Sequence, residues 1–126
     1  MNKSRSAHHV APLTLDSRES KCSLKHSQHM ARLHAISHDQ FPADVCVPFF
    51  TAGENVGVAP GDATAAALLI EHMMYAEGPC PHKGCPRNEY HLHGHYLNII
   101  NPAFKHVGIG IYVKARIVWL TEDFTG

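Results

Sequence analysis

Four side chains, far apart in the string, carry the chemistry this sequence offers: His38, Glu54, Glu77 and His95. His38 lies in a proline-containing loop and Glu54 in Gly53-Glu54-Asn55. Glu77 closes a helix-forming run, and His95 sits in Gly94-His95-Tyr96. Two imidazoles brought to one cleft can ligate a divalent metal such as Zn2+ through nitrogen. Two carboxylates beside them can hold the other ring nitrogens, fix the tautomers and raise ligand basicity. Without a metal, each Glu–His pair is still a proton-transfer unit. Three functions fit this set. The set binds a metal and a small ligand; or it is a zinc-dependent hydrolase of peptides or esters, with Glu54 or Glu77 as general base to a metal-bound water; or the tetrad is structural and holds the loops together.

A further pattern lies in His91, His93 and His95, which alternate. On an extended strand they would share a face and form a three-histidine zinc site with an open position. Gly94 weakens that reading, and it competes with surface or loop positions for His91 and His93. Twelve histidines in all make the chain responsive to mild acid.

The elements that must position these groups follow from local pattern. Residues 1–11 are polar, which predicts a disordered segment before a single domain at 12–126. Asp16 or Ser17 caps a helix running to about His34. On it, His26, His29 and His34 read as members of the solvent face. Residues 37–53, with two prolines, form a loop, and Gly53–Val58 a short strand or turn. Pro60-Gly61-Asp62 turns into a helix over 63–77, with Asp62 or Thr64 as cap. Ala66, Leu69, Ile70, Met73, Met74 and Glu77 fall on one face of it. Glu77 therefore ends an apolar stripe at the helix end that disfavours an anion, so it requires a partner. Glu71 is a rival for its role, but lies off that stripe and nearer solvent.

In the last third, Val107, Ile109, Ile111 and Val113 alternate with Gly108, Gly110 and Tyr112, the period of a strand. Two glycines on one face mean that something packs close to the backbone there. Arg116–Leu120 reads as the partner strand.

Composition narrows the function. Lysine plus arginine equals aspartate plus glutamate at 11 each, which argues against nucleic acid as a partner. No apolar run is long enough for a transmembrane segment. Four cysteines, Cys22, Cys46, Cys80 and Cys85, fit disulfides and an oxidising compartment, although the first residues do not form a signal peptide. Three full pairings are open. A local Cys80–Cys85 bond is favoured over a zinc half-site that includes His82.

With their neighbours, these residues resemble the CAP superfamily of cysteine-rich secretory, antigen 5 and pathogenesis-related proteins, whose domain is also called SCP. The resemblance rests on Ser37-His38, Gly53-Glu54-Asn55-Val56, the Met74…Glu77 helix end and Gly94-His95-Tyr96. Behind these come Asn98–Pro102 with Phe104, Val107–Gly110, and Trp119 to Phe124. It spans roughly residues 12–124 and looks like the bacterial branch. It implies an α+β fold, a three-layer α-β-α sandwich with a first helix cut short. The family's cleft tetrad falls on His38, Glu54, Glu77 and His95, with Zn2+ or another divalent ion on the two histidines of some members. It also implies an extracellular or periplasmic location and small-molecule or lipid ligands. One departure is that Met74-Tyr75-Ala76-Glu77 stands where the family usually has Trp-x-x-Glu.

Overall fold

The computed structural model describes all 126 residues. In chain order they form α1 (Asn2–Ala7), β1 (Thr14–Leu15), α2 (Ser17–Leu33), β2 (Ala52–Pro60), α3 (Ala63–Ala76), α4 (Arg87–Ile100), β3 (His106–Lys114) and β4 (Ile117–Thr125). The strands make one sheet in the order β1-β3-β4-β2. β1 runs parallel to β3; β3–β4 and β4–β2 are antiparallel. The hairpin between β3 and β4 turns on Ala115 and Arg116, both at positive φ (52° and 61°). That is the backbone twist a two-residue hairpin demands.

Helix α2 covers one face of the sheet; α1, α3 and α4 lie on the other. This is the three-layer α-β-α sandwich expected. Alternation along β4 assigns side chains to the two faces. Val118, Leu120 and Phe124 join the main core with Ala66, Ile70 and Met74 of α3, Ile99 of α4 and Phe104. Trp119 points the other way, into a smaller cluster with Met30, Ala31 and Val56.

The glycine face of β3 explains how α2 docks. A Cβ on Gly108 would lie 2.5 Å from Glu19 Cγ, and one on Gly110 only 2.2 Å from Leu24 N and Ser23 C. The helix backbone thus rests on the strand, as the two glycines on one face require. The close approach favours small side chains, and Ser23 and Ser27 are fully buried there. Ser27 Oγ donates to Gly110 O at 2.9 Å, and Ser23 Oγ to Asp123 Oδ2 at 2.6 Å. Asp16 caps α2 by accepting from the amides of Arg18 and Glu19, and Asp62 caps α3 by accepting from that of Ala65.

Two differences from the sequence reading concern whole segments. Residues 1–11 are ordered: α1 is short, and Arg5 is fully buried. Its guanidinium donates to the carbonyls of Ala11, Ile99, Asn101 and Phe104, pinning the segment to the end of α4. Residues 91–95 are helical, not extended. The period-two spacing of the histidines was coincidental, and the run from Arg87 to Ile100 has enough helix-forming residues to carry Gly94. The three-histidine strand site therefore does not exist.

Candidate functional site

β2 is an edge strand of the sheet. Glu54 lies beside Asp123 in the register and Asn55 beside Glu122. Glu54 thus faces the α2 layer, and Asn55 the α3–α4 layer. The loop after α2 brings His38 to Glu54, with Nδ1 2.6 Å from Oε1. From the other layer, Glu77 at the C-cap of α3 meets His95 on α4, with Oε1 2.5 Å from Nδ1.

Glu77 has the partner its position called for, and more. Its Oε2 accepts from the amides of His95 (3.0 Å) and Tyr96 (3.3 Å). His93 Nδ1 donates to the carbonyls of Glu77 and Gly78 and so ties down the end of α3. Asn98 Nδ2 donates to Asn55 Oδ1 and Glu54 O, fastening α4 to β2. Three of the four predicted residues, His38, Glu54 and His95, line one cleft of about 230 Å3 with Tyr90, His91, Gly94 and Asn98, and Glu77 stands behind His95 on its Nδ1. Glu77 and His95 also border an adjoining apolar hollow of about 390 Å3, walled by Ile36, Val56, Val58, Ile70, Met73 and Met74.

Helical geometry revises the roles of the neighbouring histidines. His91 and His95 are one turn apart and share a face, so His91 reaches the cleft wall while His93 points to α3. Glu71, the rival to Glu77, is not in the cleft. It faces Glu122 across the α3–sheet interface. Glu122 is 3% exposed, and burial, reinforced by Glu71, holds its carboxyl well above the usual range. Glu71 is thus turned inward, not to solvent.

The residue that sequence reasoning missed is His26. Expected on the solvent face of α2, it is fully buried. Its Nδ1 is 2.9 Å from Asp44 Oδ2 and its Nε2 3.5 Å from Glu54 Oε2. Nε2 also sits 2.8 Å from Ser37 O. Burial works against a charge on this ring, yet Asp44, the Ser37 carbonyl and Glu54 overcome it and push its pKa up to about 9. The signal was present: Glu19, Ser23, His26, Ser27, Met30 and Ala31 are the buried residues of α2, spaced three and four apart. They form a stripe of small and polar residues matched to a glycine-bearing strand.

The same layer holds Asp123, 1% exposed. Burial raises its carboxyl to about 7 against the hydrogen bond from Ser23, and Glu54, Asp44 and Glu19 push in the same direction. Disulfides join Cys22 to Cys46 and Cys80 to Cys85. The first ties α2 to the loop bearing His38 and Asp44; the second closes the loop between α3 and α4, as the local pairing predicted.

Comparison with known proteins agrees with the fold. The model of the cysteine-rich secretory protein family, CAP, matches residues 1–123. The chain belongs to the CAP family. Among curated proteins it is similar to the YkwD protein of Bacillus subtilis, 29% identical over 133 residues, covering 99% of this chain and 44% of that protein. Among solved structures it is similar to an extracellular protein containing a SCP domain from Bacillus anthracis. There the TM-score is 0.68 and identity 26%, over 98% of this chain and 37% of that one. NaASP2, solved with Zn2+, shares the fold at TM-score 0.73 and 14% identity, over 91% of this chain and 60% of that one. The chain spans less than half the length of the two Bacillus proteins. No helix is long and apolar enough to cross a membrane.

Proposed function

We propose that this CAP domain binds a divalent metal ion, Zn2+ or one like it, through His38 and His95, and admits a small or lipidic ligand beside it. One observation carries the reading: both cleft imidazoles have their Nδ1 on a glutamate. Each Nδ1–H donates to its carboxylate, which leaves the Nε2 lone pair of each ring as a metal donor. This is the second-shell arrangement that orients metal-binding histidines. Glu54 and Glu77 hold the rings, and the amides of His95 and Tyr96 hold Glu77. The metal would supply Lewis acidity to an oxygen ligand in the cleft. The apolar hollow shares His95 and Glu77 with the cleft and would seat an acyl or similar apolar group next to the metal.

Both glutamates are engaged as ring holders, so a general-base role would require one of them to leave its histidine. The binding reading uses them as they stand, and we favour it over the hydrolase. Two disulfides and extracellular relatives support a location outside the cytoplasm.

Calorimetric titration of metal-free protein with Zn2+ tests the reading. His38→Ala with His95→Ala should remove one equivalent of bound zinc, and the remaining heat should lose its cleft component. Unchanged stoichiometry and affinity would reject the assignment. Binding should also weaken in mild acid, because a protonated imidazole cannot ligate.

A further inference from the structure

Beneath the cleft, on the α2 side of the sheet, lies a second cluster that the cleft chemistry does not use. We propose that His26, Asp44 and Glu54 form an inner divalent-cation site, distinct from the one on His38 and His95. One donor atom from each of the three lies within 4.8 Å of the others. The Ser37 carbonyl, 2.8 Å from Nε2, accepts from that nitrogen, so Nδ1, which gives up its proton when a metal binds, is left as the ligand atom beside Asp44. Histidine ligands are commonly oriented in this way.

What points to an occupant is the unmet bonding capacity of buried atoms. His26 Nδ1, both Asp44 carboxylate oxygens and Glu54 Oε2 have no hydrogen-bond partner. The side chains of His26 and Glu54 are 0% and 1% exposed. Polar atoms this deep are rarely left unsatisfied. Asp44 Oδ2, 2.9 Å from the ring, is an ion-pair partner in the metal-free protein, a contact that a cation held between them would replace. Charge points the same way. Glu19 and Asp123 stand close by, each with an unpartnered oxygen, and no lysine or arginine pairs with Asp44 or Glu54, whose only cationic partners are the rings of His26 and His38; a bound cation would take the place of the His26 proton. Glu54 serves both places, offering Oε1 to His38 and Oε2 to the inner site. Asp44, 17% exposed, is the opening to solvent. One imidazole and two carboxylates suit ions of the Zn2+ and Mn2+ class.

The site does not depend on the cleft reading, and the two separate experimentally. Zinc bound at equilibrium dialysis is counted in metal-free protein and its variants. The variant His38→Ala/His95→Ala should retain one zinc, and adding Asp44→Asn should remove it. Asp44→Asn alone should keep the cleft equivalent. The inner site is overturned if the double-histidine variant holds no zinc, or if its zinc is indifferent to Asp44→Asn. The cleft reading fails by a different result, namely that all bound zinc survives loss of His38 and His95. Should Asp44→Asn unfold the chain, as circular dichroism would show, the intact protein decides. With 113Cd2+ as probe, a ring nitrogen of His26 should show coupling to cadmium, and its absence would overturn the site.

Discussion

Replacing Asp44 by Asn in metal-free protein removes one of the two carboxylates beside a buried imidazolium. His26 Nδ1 lies 2.9 Å from Asp44 Oδ2, and the ring is fully buried. A unit-charge pair about 4 Å apart gains about 4 kcal/mol at the effective dielectric that suits protein sites. The partial exposure of Asp44, 17%, and the desolvation both groups have suffered reduce this, so we expect a loss of about 2–3 kcal/mol. The cost must depend on pH. The folded pKa of His26 is about 9 against an ordinary 6.5. A raised folded pKa contributes stability that is complete below pH 6.5 and is lost as pH climbs through 9. Asp44→Asn should therefore cost its full amount at pH 6 and little at pH 10. Urea unfolding of both proteins with a chelator present, at the two pH values, reads the difference. An equal cost at both would refute the buried imidazolium.

Three further outcomes follow from the same layer. Gly110→Ala places a Cβ 2.2 Å from the backbone of α2 and should destabilise by about 3 kcal/mol or more, since backbone cannot step aside as a flexible side chain does; a thermal melt within a degree of the parent would contradict this. Asp123→Asn should stabilise the metal-free chain by roughly 2 kcal/mol at pH 8.5 and change little near pH 4. The carboxyl, raised to about 7, confers stability below its ordinary 3.8 that is lost as pH rises through 7, and the amide escapes that loss; denaturant midpoints across this range measure it. Replacing Cys22 and Cys46 by Ser opens a bridge between residues 24 apart and should cost about 3 kcal/mol, while loosening the loop that presents His38 and Asp44; denaturant unfolding together with zinc titration checks both.

Much of this was legible in the string because the local signals agreed with the fold. The Asp16 and Asp62 caps marked two helix starts. Gly108 and Gly110 on one face announced that something packs close to the strand, and α2 does. A glutamate ending an apolar stripe called for a partner, and His95 supplies it. What was not legible came from conflicts between local pattern and tertiary context. His91, His93 and His95 imitate a strand, yet they sit inside a helix whose apolar face, Tyr96 and Ile99, is buried. Leu69 and Met73 share the predicted face of α3 but remain 48% and 61% exposed; Met73 borders the open hollow and does not reach the core. His26 looked like a surface residue because a buried stripe of glutamate, serine and histidine does not register as hydrophobic. Its burial depends on Asp44 and Glu54, which arrive from loop and strand distant in sequence.

The most direct test of the metal cleft is an anomalous difference map at the zinc edge from crystals soaked in Zn2+. We expect a peak within coordination distance, about 2.1 Å, of Nε2 on both His38 and His95. A map with no peak bridging those two rings, at full soak and neutral pH, would contradict it.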